Sequence, residues 1–125
     1  MNELAMRAAI LDHPQMADLI EDRLSPRTMP QGTALPYITF FKISRPQSAL
    51  GIKQPVYQFN IVSDDYTELL LLYEYLVESL DNVEADNVAF ACHVVSERAS
   101  FEDETKLHVM NVMVRFDVLY RQIYS

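Results

Sequence analysis

Between Val56 and Val62 the chain alternates, with Tyr57, Phe59 and Ile61 apolar and Gln58 and Asn60 polar, which is the two-residue period of a half-buried strand. At Ser63-Asp64-Asp65 the period lengthens. Asp65 or Asp64 is placed to cap the first free amides of a helix, Glu68 follows Asp65 at capping-box spacing, and both charges suit the positive helix end. At about 100° per residue, Tyr66, Leu69, Leu70, Tyr73, Leu76, Val77 and Leu80 share one stripe roughly 120° wide, predicted to pack on the sheet. Leu71, Leu72 and Tyr75 fall on the opposite side, beside Glu68 and Ser79, and form a second apolar surface that needs a cover. Either another helix of the same chain or a neighbouring subunit supplies that cover, since an exposed apolar patch usually marks an interface.

The remaining elements are arranged around this strand-then-helix unit, Val56 to Leu80. Leu4, Ala8 and Leu11 stand at helical spacing from Asn2, a capping residue, and Pro14 interrupts the run after Asp12-His13. Met16, Leu19 and Ile20 give a further turn or two with an apolar edge. These pieces are the natural intrachain cover for Leu71, Leu72 and Tyr75. Ser25–Pro36 holds three of the six prolines and one glycine, so it is predicted to be an extended connection. Tyr37–Ser44 reads as a strand. Arg45–Gln54 follows as a loop long for a hairpin, a candidate binding or assembly arm. After a polar turn come a strand from Val88 to Ser96 and a long one from about Lys106 to Tyr120. The segment between them concentrates Glu97, Glu102, Asp103 and Glu104 at a hairpin tip. The order α-β-β-α-β-β predicts an α+β fold in which helices cover one face of a mainly antiparallel sheet of about four strands, as one domain over residues 1–125.

Composition narrows the function. A formal charge of -8 and ten dispersed basic residues argue against gripping nucleic acid through its phosphates. Only Gly32 and Gly51 are present, so no glycine-rich phosphate loop or dinucleotide fingerprint can be built. One cysteine excludes an internal disulfide. No stretch is apolar and long enough to span a bilayer, and MNELAMRAAI carries Glu3 and lacks a signal-peptide pattern; the expectation is a soluble, intracellularly made chain.

Candidate chemistry is sparse. Folding the last hairpin about Ser100 or Phe101 brings His93 and His108 nearly opposite each other with Cys92 adjacent, which suggests a metal pair or a thiol site in a small enzyme. Against this, no third ligand shares that face, and Cys92 points to the other side among Val88, Phe90 and Val94, the setting of an inert core thiol. The acidic segment matches no calcium loop and lies in a polar setting, where carboxylates stay ordinary. The tyrosines and phenylalanines occupy strand and helix-stripe positions, so core packing explains them better than base stacking. The expectation is a protein without catalytic residues, metal or cofactor.

The lead-in Pro30-Gln-Gly-Thr-Ala-Leu-Pro-Tyr-Ile-Thr-Phe40, an arm, the strand Val56–Ile61, a capped helix with paired aliphatics and a final Arg115-Phe-Asp-Val-Leu-Tyr-Arg121 together resemble the tail-completion or tail-terminator proteins of long-tailed bacteriophages. That family includes the head-to-tail joining proteins and is related in fold to minor tail protein U. The central strand departs from it by ending Ile61-Val62-Ser63, where relatives often carry a large aromatic. The resemblance implies a non-enzymatic virion subunit, made in the bacterial cytoplasm and monomeric until it meets the tube. It would then assemble into a ring, commonly of six, that caps the tail tube and docks it to the head connector. The implied partners are further copies of the chain, the tail tube protein and the connector protein, with DNA passing unbound and no membrane. Interface candidates are Arg45, Leu50, Ile52, Lys53, Leu71, Leu72, Tyr75 and Phe101. Glu97, Glu102, Asp103 and Glu104 are candidates for the channel or a partner-facing surface, because an electronegative lumen repels phosphates.

Overall fold

The computed structural model describes residues 3–43, 55–81, 83–85 and 88–119, the side chains of residues 84, 85, 88, 89, 118 and 119 excepted. In chain order the elements are α1 (Glu3–Leu11), α2 (Pro14–Ile20), β1 (Leu24–Pro26), β2 (Tyr37–Ile43), β3 (Val56–Ser63), α3 (Tyr66–Leu80), β4 (Val83–Ala85), β5 (Val88–Glu102) and β6 (Leu107–Leu119). The strands form one sheet in the order β1-β2-β3-β6-β5-β4. All pairings are antiparallel except β1 with β2.

The α+β architecture and the mainly antiparallel sheet are as expected, but six strands replace four. β1 arises inside the stretch expected to be only a connection. It is too short for any period to announce it, and is held by the Ile38 amide donating to the Arg23 carbonyl at 3.0 Å and the Arg27 amide donating to the Phe40 carbonyl at 2.8 Å. β4 is a similar three-residue addition in the polar turn.

The central part of one face of the sheet is apolar. Ile38 and Phe40 of β2, Tyr57, Phe59 and Ile61 of β3, and Met110, Val112, Val114 and Phe116 of β6 point to the same side and are buried together with Met6, Ile10, Met16 and Ile20 of α1–α2 and Leu69, Leu72, Leu76 and Leu80 of α3. Tyr57 and Phe116 meet edge to face at 6.0 Å. A single core therefore lies between the sheet and a layer of helices.

The start of α3 follows the sequence closely. Asp65 Oδ1 accepts from the amides of Thr67 at 2.8 Å and Glu68 at 3.3 Å. Glu68 does not complete the box by reaching back to Asp65; its Oε1 instead takes the hydroxyl of buried Ser63 at 2.8 Å, and Ser63 Oγ accepts the Asp65 amide at 3.0 Å. Ser63 thus ties the end of β3 to the first turn of α3.

The phase of α3 differs from the expected stripe. Leu72 is 0% exposed, whereas Tyr66 is 50% and Leu70 40% exposed. The cause is a second packing partner. α1 and α2 press on α3 beside the sheet, so its buried arc is rotated by roughly 50° toward them, away from Tyr66 and Leu70. His13 fixes this contact. It caps α2, with Nδ1 accepting the Met16 amide at 3.3 Å; its Nε2 lies 2.9 Å from Glu78 Oε2, and its ring packs 5.2 Å from that of Tyr75.

β5 and β6 form a long hairpin. β5 runs six residues beyond its expected end at Ser96, and the turn falls at Asp103–Lys106 rather than at Ser100 or Phe101. Lys106 closes it with φ 61°, its amide donating to the Glu102 carbonyl at 2.8 Å, while the Thr105 hydroxyl donates to Glu102 Oε2 at 3.0 Å. Pairing slips between Val94 and Ser96, opposite Val114 and Met113, so Val95 is an extra residue, a β-bulge.

Candidate assembly surface

The bulge decides what the outer part of the hairpin presents. Up to it, Cys92 and Val94 stand opposite Phe116 and Val114 on the helix side; beyond it, Glu97, Ala99 and Phe101 stand opposite Val112, Met110 and His108 on that same side. α3 ends its cover here. Its flank, exposed Tyr66 and Leu70 with partly buried Tyr73, leans over this stretch, with Tyr66 5.5 Å from the His108 ring and His108 4.6 Å from Phe101. Val95 is 51% and Phe101 46% exposed, and Val94, Leu70 and Tyr66 are exposed beside them, while Leu71 is exposed on the outer side of α3. The Tyr73 hydroxyl donates to Glu97; burial, reinforced by that carboxylate, pushes its pKa up to about 12.

The predicted interface residues are separated by this geometry. Leu72 is not available to a partner, because α1, α2 and the sheet enclose it completely, and Tyr75 is half-buried against the core and His13. Of that trio only Leu71, 40% exposed, remains on the surface. Phe101 is exposed as expected. Arg45, Leu50, Ile52 and Lys53 lie outside the described residues. Glu102, Asp103 and Glu104 are exposed at the turn, but Glu97 belongs to the body of β5, engaged by Tyr73. Sequence reading missed Val94, Val95 and the flank of Tyr66 and Leu70, since a bulge and a rotated helix leave no periodic signal.

The geometry does not assemble the alternative enzyme site. His93 pairs with Arg115 and His108 with Phe101, so the two levels are seven residues apart on β6 (115 − 108), or about 23 Å at roughly 3.3 Å per residue. His93 Nε2 instead contacts Asp117 Oδ2 at 2.9 Å, and Asp117 is also held by Arg115 at 3.0 Å. Burial pushes the Cys92 thiol up to about 11, with the charge of Asp81 adding to the effect, the opposite of what a nucleophile needs. Among the described residues, no group of three or more His, Cys, Asp or Glu is placed to hold a metal ion, and no helix is long and apolar enough to cross a membrane.

What remains is the exposed apolar surface of α3 and the outer hairpin. No family model and no curated protein matches the chain. Among solved structures it is similar to a chain in the virion of a native gene transfer agent particle, with a TM-score of 0.67 at 11% identity, covering 90% of this chain and 92% of that one. It is also similar to a protein known by a sequence code alone, with a TM-score of 0.59 at 15% identity, covering 98% and 99%. At such identities the likeness is one of fold, and the α+β fold of this chain is one that occurs in a gene transfer agent virion.

Proposed function

We propose that this protein is a non-enzymatic subunit of a phage or prophage virion, forming a ring, commonly of six, that caps the end of the tail tube and joins the tail to the head connector. The observation that carries this reading is the fold shared, over nearly the full length of both chains, with a component of a gene transfer agent virion. The exposed apolar band along α3 and the outer hairpin supports it, since a chain of this size rarely leaves such a patch uncovered. The net charge of -8 suits a protein past which DNA must move without being held. Its partners are then further copies of itself, the tail tube protein and the connector protein.

The test is genetic and visual. A nonsense mutation in the coding gene should leave full heads and separate tails in electron micrographs of the lysate, with joining restored by the protein supplied in trans. Normal virions from the mutant would overturn the reading.

A further inference from the structure

We infer that copies of this chain join head to tail, the outer edge of β5 in one copy receiving the β1–β2 edge of the next. The inference rests on the ring reading and specifies which surfaces close it.

β4 pairs with β5 only as far as Phe90, and β6 occupies the other side of β5. From Ala91 to Glu102, twelve residues, the outer edge of β5 therefore has no strand beside it among the described residues. Proteins normally blunt such an edge by shortening it or covering it, because a long free edge recruits other strands. Here the edge is long and flanked by apolar side chains at Val94, Val95 and Phe101, with Tyr66 and Leu70 above it. Its single bulge marks the middle of the exposed stretch.

A second copy is favoured as the occupant by charge and by strand direction. The β5 side of the molecule carries Glu97, Glu102, Asp103 and Glu104, with Asp64 and Asp65 at the adjoining start of α3. At the opposite edge of the sheet, exposed Arg27 follows β1 and exposed Lys42 lies on β2, neither in an ion pair among the described residues, beside exposed Phe41. Near the bulge the match is local: Glu97, level with Phe40, and Lys42 stand on the helix side two residues apart in height, and both edges are partly apolar, while exposed Arg98 and Lys106 on the first edge and Glu21 and Asp22 before β1 offset the charge elsewhere. Following the register across the sheet, Lys42 lies level with Tyr57, Val114 and Val94, so Lys42 and the bulged part of the β5 edge stand at the same height. Strand direction alternates from β2 through β3 and β6 to β5, and a copy placed alongside in the same orientation meets β5 antiparallel. Because the two surfaces differ, the contact is heterologous, the type that closes into a ring when its rotation permits.

Disulfide trapping between two singly substituted proteins tests this, both in a Cys92→Ala background and both checked for native far-UV circular dichroism. Val95→Cys protein is mixed with Lys42→Cys protein in the presence of tails lacking this protein, on which the ring is to form, under copper-phenanthroline oxidation, and each control is run the same way. The controls are Val95→Cys alone and Val95→Cys mixed with Asp18→Cys on exposed α2. A docked contact raises the local thiol concentration far above bulk, so the mixed Val95–Lys42 disulfide should exceed both controls by about tenfold or more. Equal yields from the α2 control overturn the inference, and so does a dominant Val95–Val95 disulfide, which reports two β5 edges meeting about a two-fold axis. Rings seen on tails without the Val95–Lys42 disulfide overturn this edge pairing alone. Val95–Lys42-linked chains from a protein that never joins tails uphold the pairing and overturn the proposed function.

Discussion

Leu71 and Leu72 are neighbours in sequence that the structure places in different worlds, and truncating each to alanine separates the observed helix phase from the one periodicity suggests. Leu72 is fully enclosed between the sheet, α1 and α2. Removing its side chain forfeits the transfer of a buried leucine, about 1.5–3 kcal/mol, plus the cost of the cavity it leaves, for a total of about 3–4 kcal/mol. Leu71 is 40% exposed and can let water fill its place, so its loss should cost about 1 kcal/mol or less. Helix propensity is nearly the same for leucine and alanine and offsets neither figure. The assay is urea or thermal unfolding followed by far-UV circular dichroism, since the chain has no tryptophan. For a domain of this size the Leu72→Ala melting point should fall by roughly 10 °C and that of Leu71→Ala by only a few degrees. If Leu71→Ala proves the more damaging, α3 is rotated from the position described, and the account of both its core and its exposed flank fails.

Three further outcomes are expected. Asp65→Ala should cost about 1 kcal/mol through loss of the two capped amides at Thr67 and Glu68, while Asp64→Ala changes unfolding little; equal effects would show that the cap is misassigned. Burial, with the carboxylate of Glu3 adding to it, pushes Tyr57 up to about 12, so the unfolded chain releases this proton near pH 10 while the folded chain keeps it. The resulting stability is intact below pH 10 and declines as pH rises toward 12, by up to about 2–3 kcal/mol from Tyr57, and a stability flat across that window in Tyr57-containing protein but falling in Tyr57→Phe would contradict this. Cys92, held up to about 11, should react with iodoacetamide at pH 8 about 100-fold more slowly than in urea-unfolded protein, and labelling at the rate of a free thiol would show that the side chain is neither buried nor inert.

The parts of the fold legible in the sequence are those written in a sustained local period or a local cap. β3 and most of β6 alternate cleanly, Pro14 starts α2 at its first residue, and Asp65 caps α3 in the expected place. The rest depends on contacts that no window of sequence contains. β1 and β4 are three residues each and exist only because a neighbouring strand offers its edge. The burial of Leu72 depends on α1 and α2, more than fifty residues earlier, claiming one flank of α3. The full length of the last hairpin is hidden in the sequence because Glu97, Arg98, Ser100 and Glu102 look like loop residues. Their positions are nevertheless paired on β6, with Lys106 bending the chain where no glycine stands. For the candidate surface, Phe101 and the acidic turn were legible as exposed, but the continuous band joining Val95 to Tyr66 was not.

The extra residue at Val95 divides one strand into two reading frames. Inward positions carry even numbers before it and odd numbers after it, so the parity of a position says nothing about its orientation until its side of the bulge is known. Because Ser96 pairs with Met113 directly after Val94 pairs with Val114, deleting that single residue would remove the local bend and leave every outer side chain on its present side, Glu97, Ala99 and Phe101 still under the helix and Ser96, Arg98 and Ser100 still on the far face. One codon can therefore enter or leave this strand without recasting the hairpin's chemistry, so chains sharing this architecture can differ in length here while presenting the same outer surface.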